Sequence, residues 1–286
     1  MALTPMTTFT TADDGASLAV HLIGAGPPLL CLPGGPLLPS AYLGDLGDLA
    51  SHRRLVLLDL RGSGASDRAD DPTACRCDRL VADVEAVRRH LGFESIDLLA
   101  HSAGANLAYR YAEHHPDRVA RLVLVAPSVF GLGLAVPAAA RSEIALLRQN
   151  EPWYPAAAVA LASIQNGTAT ETDWAAITPF TYGRWDKSTQ AYDASMEARR
   201  DPDAAAAFVA DGAFDPPATR SALAALDAPV LVVAGGWDVG NPPQVMAEVA
   251  EHFPRGQLTV QSEAGHFPWV DNPTRFQEAI IAFLGV

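Results

Sequence analysis

The sequence predicts an α/β fold, a mostly parallel sheet flanked by helices with a helical lid inserted late in the chain, and three observations carry that prediction. Six short apolar runs, at residues 29–32, 55–58, 96–99, 122–125, 230–233 and 258–260, have the length and the Leu/Val/Ile content of buried strands. Helix-forming stretches such as 78–91 and 107–114 fall between several of them, and strands that alternate with helices form parallel sheets covered on both faces. Between Val125 and Val230 the alternation stops for about a hundred residues, a length that a compact domain does not leave without structure of its own.

Taken in order, residues 7–11 and 17–23 alternate as a leading hairpin, joined through the turn-forming Asp13-Asp14-Gly15. The six apolar runs follow, and Asn272-Pro273 then opens a terminal helix that carries Phe276, Ile280, Ile281 and Leu284 on one face. Residues 1–128 and 226–286 are thus expected to form the core and 129–225 the lid. The lid segment is rich in alanine, at 138–140, 156–158 and 204–207, which favours helices. Its aromatics, Trp153, Tyr154, Trp174, Phe180, Tyr182, Trp185 and Tyr192, are expected mostly to build its own small core, with some lining an apolar pocket.

Chemistry enters at Ala100-His101-Ser102-Ala103-Gly104, which lies between the apolar run ending at Leu99 and a helix-forming stretch. A serine at the tip of a sharp strand-to-helix turn has its hydroxyl pushed outward, and the turn is tight enough to demand small flanking residues. Ala100 and Gly104 meet that demand. Two partners follow in the order serine, acid, histidine: Asp238, after the run 230–233, and His266, after the run 258–260. A serine hydroxyl needs an imidazole to take its proton, and the imidazole needs a carboxylate to hold its tautomer and stabilise the imidazolium. Asp59 and Asp67 are weaker candidates for the acid, since they come before the serine in the chain.

The run 29–32 leads into Pro33-Gly34-Gly35-Pro36, whose glycines let backbone N–H groups approach a ligand. Such a loop suits an oxyanion hole. Gly35 is the expected loop donor, ahead of Gly34, and the N–H of Ala103, the residue after the nucleophile, is the second. Trp237, Phe267 and Trp269 flank the acid and the base and are the expected aromatic walls of the substrate pocket. His101 is expected to pack in the elbow rather than act as a second base, and Arg61 to hold loops together.

Together these residues resemble an α/β-hydrolase-fold serine hydrolase from about residue 15 to the C-terminus. The Gly34-Gly35-Pro36 loop, with Leu58-Asp59-Leu60-Arg61-Gly62-Ser63-Gly64-Ala65-Ser66-Asp67, is similar to the proline iminopeptidase-like branch. Pro33 stands where that branch usually has histidine, Leu37 where it usually has glycine, and the elbow replaces its Gly-Gly-Ser-Trp-Gly. The resemblance implies the α/β-hydrolase fold and hydrolysis of a carboxylic ester or amide bond of a small molecule through an acyl-enzyme. It does not carry over prolyl specificity. An iminopeptidase-type aminopeptidase, which would need a lid carboxylate for the substrate ammonium (Glu143, Glu151, Glu171 or Glu197), stays open. So does a lactonase or a carbon–carbon bond hydrolase. Dehalogenase chemistry would call for an aspartate at the elbow. The alternative outside enzymes is a ligand-binding protein that has kept the fold and lost turnover.

Composition narrows the partners. Among 286 residues, 49% apolar content supports a sizeable core, and 20 Lys and Arg against 33 Asp and Glu give a net charge of −13. That charge repels phosphate backbones and anionic lipid, so no nucleic acid and no membrane partner is expected. No apolar run reaches membrane-span length, and Met1-Ala2-Leu3-Thr4-Pro5-Met6 has neither a basic start nor an apolar core of export-signal length, so no export signal is expected. Cys31, Cys75 and Cys77 form no disulfide framework, which points to the cytoplasm. No metal site and no cofactor is expected, and the oligomeric state has no signal in the sequence.

Overall fold

The structure is a computed structural model and describes residues 5–68, 70–197, 199 and 201–285. The opening Met1 to Thr4, read above for an export signal, lies outside them. Among the described residues the strands are β1 (Met6–Thr11), β2 (Ser17–Ile23), β3 (Pro28–Leu32), β4 (Arg54–Leu58), β5 (Ile96–His101), β6 (Val119–Val125), β7 (Val230–Gly235) and β8 (Gly256–Gln261). The helices are α1 (Val81–His90), α2 (Gly104–His114), α3 (Ala138–Leu146), α4 (Tyr154–Gln165), α5 (Glu171–Ala176), α6 (Lys187–Glu197), α7 (Pro202–Phe208), α8 (Pro216–Leu223), α9 (Pro243–Glu251), α10 (Pro268–Asp271) and α11 (Pro273–Leu284).

All these strands belong to one sheet, ordered β1-β2-β4-β3-β5-β6-β7-β8. β2 runs antiparallel to β1 and to β4, and the strands from β4 to β8 pair in parallel. At the hairpin, Ala12 and Ala16 close the turn with an N–H to carbonyl bond of 2.8 Å, and Gly15 takes a φ of 94°. Predicted strand ends were short where a polar residue interrupts the apolar run. β6 begins at Val119 because Arg121, mid-strand, turns its guanidinium to Asp97 on β5. α1 begins three residues after the predicted start, since Asp78 is held by Arg76 in the preceding turn.

The two-residue side-chain period of the strands divides the core into two layers. Leu30, Leu98, Leu122 and Val232 pack on one face with Val84 of α1, Leu107 of α2 and Met246 of α9. Leu29, Leu99, Val123 and Val233 pack on the other with Phe276, Ile280 and Leu284 of α11. α11 starts as the sequence predicts: the Asn272 side chain accepts from the Arg275 N–H at 3.1 Å and Pro273 occupies the first turn. Between β6 and β7, α3 to α8 replace the strand alternation. Ile144 and Ala145 of α3, Ala157 and Leu161 of α4, Phe180 and Val239 make a small third core. α7 and α8 instead add Phe208 and Leu223 to the layer under α2.

The parallel segment aligns the carboxyl ends of β3, β5, β7 and β8 along one edge. β4 lies on one side of β3 and β5 on the other, so the strand order reverses there and opens a crevice at the sheet edge.

Candidate active site

Ser102 follows β5 directly and has φ 52°, a left-handed conformation that a side-chain-bearing residue rarely adopts. Its N–H is held by the Val125 carbonyl at 3.0 Å, and its own carbonyl accepts from Ala105 at 3.0 Å and Ser128 at 3.0 Å. The turn is therefore fixed on both sides. Gly104 is required at its place because a Cβ there would stand 2.5 Å from the Pro33 carbonyl oxygen. Ala100 fills the other flank inside the core, fully buried.

His266 Nε2 lies 2.9 Å from Ser102 Oγ, and its Nδ1 lies 2.7 Å from Asp238 Oδ2. A carboxylate only accepts, so Nδ1–H donates to Asp238 and Nε2 is left to accept from the serine hydroxyl. Asp238 is 1% exposed, and its second oxygen accepts from the N–H groups of Gly240 at 2.9 Å and Asn241 at 3.0 Å. These bonds fix the carboxylate before the imidazole meets it. The histidine loop is held from the inserted segment, where the Thr181 carbonyl accepts from the His266 N–H at 2.7 Å.

A second chain of bonds runs behind the serine. His101 Nε2 lies 3.0 Å from the His266 carbonyl oxygen, so this nitrogen carries the proton. Nδ1 then accepts from the Tyr42 hydroxyl at 2.8 Å, and that hydroxyl accepts from the Gly34 N–H at 2.7 Å. Burial pushes the His101 imidazole well below its ordinary pKa, with the nearby His266 adding to the effect, and burial also holds the Tyr42 phenol protonated. Both partners are neutral. With Gly34 engaged in this way, Gly35 N–H and Ala103 N–H are the loop and elbow donors that have no acceptor among the described residues.

Comparison with known proteins places the fold in a family. The family model for the alpha/beta hydrolase fold matches residues 27–273. The chain belongs to the α/β-hydrolase fold family. A probable proline iminopeptidase of Streptomyces coelicolor is 30% identical over 90% of this chain and 86% of its own length, which puts the chain in the proline iminopeptidase-like branch. A proline iminopeptidase of Heyndrickxia coagulans is 36% identical over 104 residues, and the match spans 36% of either chain. Among solved structures, a thermophilic esterase of Thermogutta terrifontis has a TM-score of 0.68 at 25% identity, covering 98% of both chains.

In this α/β hydrolase, three cavities meet around Ser102 and His266. The first, about 710 Å³, is lined by Gly35, Tyr42, Ser102, Trp174, His266 and Phe267, and also by Glu171 and Asp193. The second, about 520 Å³, reaches Asp238 and His266 from beneath α3 and α4, and the third, about 380 Å³, touches Ser102 and Ala103. Of the three aromatics expected at the pocket, Phe267 lines the first cavity. Trp237 and Trp269 are engaged in packing instead: the Arg148 guanidinium sits 4.6 Å over the Trp237 ring, and Trp269 meets the His101 ring edge-on at 4.8 Å. Trp153 and Tyr154 pack on Phe180, while Tyr182 and Tyr192 pack on Phe267.

Asp59 is spent on structure, accepting from His21, from the Ser40 N–H and hydroxyl and from the Ala65 N–H. Arg61 ties Asp14 to Asp83, so it holds loops. Glu151 pairs with Arg148, Glu171 lines the first cavity, and the Glu197 side chain lies outside the described residues. Among the described residues no group of three His, Cys, Asp or Glu could hold a metal ion, and no helix is long and apolar enough to cross a membrane. Tyr42, Thr181 and Asp193 escaped sequence reasoning, since an isolated aromatic or polar residue in a loop has no periodic or motif signal.

Two predictions follow from the buried tyrosine–histidine pair. Tyr42→Phe strands His101 Nδ1 and the Gly34 N–H, so urea unfolding should register a loss of about 1–3 kcal/mol with lower esterase turnover. A loss inside experimental error would remove the pair from the account. His101 has a depressed folded-state pKa, so above about pH 6.5 it is neutral both folded and unfolded and contributes nothing to the pH slope. Below that the unfolded chain gains a proton the native protein refuses, and stability falls as pH drops toward the lowered value. Replacing the ring, His101→Gln, should flatten the acid-side slope of unfolding free energy by up to about 1.4 kcal/mol per pH unit. Parallel slopes for the two proteins between pH 7 and 5 would count against a neutral His101.

Proposed function

We propose that this hydrolase cleaves a carboxylic ester or amide bond of a small molecule through an acyl-enzyme formed on Ser102. The observation that carries the reading is the continuous relay from Ser102 Oγ to His266 Nε2 at 2.9 Å and from His266 Nδ1 to Asp238 at 2.7 Å. In the proposed cycle His266 takes the serine proton as Oγ attacks the carbonyl carbon, and the carbonyl oxygen becomes an oxyanion. The free N–H groups of Gly35 and Ala103 stabilise that oxyanion. His266 then returns the proton to the departing alcohol or amine. Water, activated by the same imidazole, releases the acyl group and restores the serine. A His101 kept neutral serves this cycle, since a second cation 4.9 Å from the His266 ring would oppose formation of the imidazolium.

The helices α3 to α6 act as the lid in this reading, with Trp174 of α5, 57% exposed, at the mouth of two of the cavities. The aminopeptidase alternative gains support from Glu171 and Asp193 in the first cavity, where a substrate ammonium could meet a carboxylate. Esterase action is favoured because Asp193 already accepts from the Tyr182 hydroxyl at 2.9 Å, and Glu171 is open to solvent. The complete relay and free oxyanion donors weigh against a binding protein without turnover. Three buried, unpaired thiols fit a reducing setting such as the cytoplasm.

Ser102→Ala should lower turnover of p-nitrophenyl acetate by roughly three orders of magnitude or more and abolish labelling by a fluorophosphonate probe. Full residual turnover in that variant would refute the serine assignment. Asp238→Asn should cost less than loss of serine or histidine, since the acid only orients and stabilises the base. A panel setting p-nitrophenyl esters against prolyl amides separates the two substrate classes: faster relative cleavage of the esters is expected, and preference for the amides would reverse the reading.

A further inference from the structure

One cation beside the reacting groups has no work in the mechanism above. Arg141, on α3, is half-buried and lines both the second and the third cavity, one of which reaches Asp238 and His266 and the other Ser102 and Ala103. Among the described residues the single hydrogen bond of its guanidinium is a long one, 3.5 Å from Nη1 to the Val239 carbonyl oxygen, and no carboxylate of those residues is recorded in an ion pair with it. The arginines that are buried behave differently: Arg53 reaches Asp97, Arg61 reaches Asp83, Arg88 reaches Glu85 and Arg148 reaches Glu151. A guanidinium has five N–H donors in a planar fork that matches a carboxylate, and withdrawing it from water without a partner is costly. Burial lowers the Arg141 pKa while the charge of Asp238 opposes that shift, so the environment supplies a cation with spare donors.

We infer that Arg141 is a carboxylate subsite, and that the substrate is an ester carrying a free carboxylate that reaches Arg141 while its carbonyl sits at Ser102. The inference rests on the serine-hydrolase reading and narrows its substrate class. Two features make the guanidinium decisive for such a substrate. The chain carries a net charge of −13, which disfavours an anionic ligand everywhere except beside a local cation. The carboxylate that lines the second cavity, Asp238, is held by His266 and two backbone N–H groups, and no described carboxylate lines the third, whereas Glu171 lines the first, so an anion is favoured in the cavities that Arg141 lines.

The test compares esters matched in length and differing in charge: mono-p-nitrophenyl glutarate against its methyl ester for a carboxylate in the acyl half, and 4-acetoxybenzoate against methyl 4-acetoxybenzoate for one in the alcohol half. In at least one pair the wild-type protein should prefer the anion in kcat/KM, chiefly through a lower KM. Arg141→Gln should reduce the anion-to-neutral ratio of that pair by roughly 10- to 100-fold, and Arg141→Lys should restore part of it. A wild-type ratio at or below one in both pairs, or a ratio that Arg141→Gln leaves unmoved, overturns the subsite. Ser102-dependent hydrolysis of the neutral esters keeps the outcomes apart: with it intact, only the carboxylate inference falls, and without it the serine reading itself fails.

Discussion

The arrangement depends on how closely the first turn of α2 approaches the end of β3. A Cβ on Gly104 would meet carbonyl oxygens at 2.5 and 2.7 Å, so the helix can seat itself there only through a residue without a side chain. That approach forces the chain to reverse within one residue after β5, and Ser102 takes the strained left-handed conformation as the consequence. The strain is tolerated because the elbow is over-determined by bonds to β6 and to the loop after it. In return the hydroxyl stands clear of the sheet, with the Ala103 N–H beside it and the β3 loop across the crevice.

Three loops from three separate strands must still be brought into one register, and here the neutral His101 matters. It is buried against Tyr42, Phe267 and Trp269 and joins the Gly34 N–H, through the Tyr42 hydroxyl, to the carbonyl of His266. An ion pair could hold the same loops together, but its charge would act directly on the reacting imidazole. A hydrogen-bonded neutral pair fixes position without adding a field. This accounts for a polar residue before Ser102 although its side chain is enclosed.

The strands were legible in the sequence, and so were the three side chains of the proposed relay, because each depends on local pattern. A buried parallel strand reads as a short apolar run, and Ser102, Asp238 and His266 each sit just beyond such a run. The engagement of Gly34 by Tyr42, which leaves Gly35 as the loop glycine of the proposed oxyanion site, was not legible. What stayed hidden is tertiary. Whether Trp237 faces a cavity or an arginine depends on where α3 ends and sets Arg148, more than eighty residues earlier in the chain. The same holds for Arg141, which reads as one charge on an alanine-rich helix. Only the fold makes it a half-buried cation between two cavities.

Sheet and insertion therefore divide the chemistry between them. The groups proposed to make and break bonds sit at strand ends, where paired backbone fixes them within a narrow geometry. The cation proposed to sort substrates by charge comes from α3, outside the strand ends. With Glu171 lining the first cavity and the Arg141 guanidinium lining the second and third, the proposed site gains a direction. In the proposed mechanism the oxyanion donors already decide which way the carbonyl oxygen points, so rotation about that bond is the main freedom left to a bound ester. An electrostatic gradient across the crevice removes it, because only one of the two remaining orientations puts a charged tail next to its opposite.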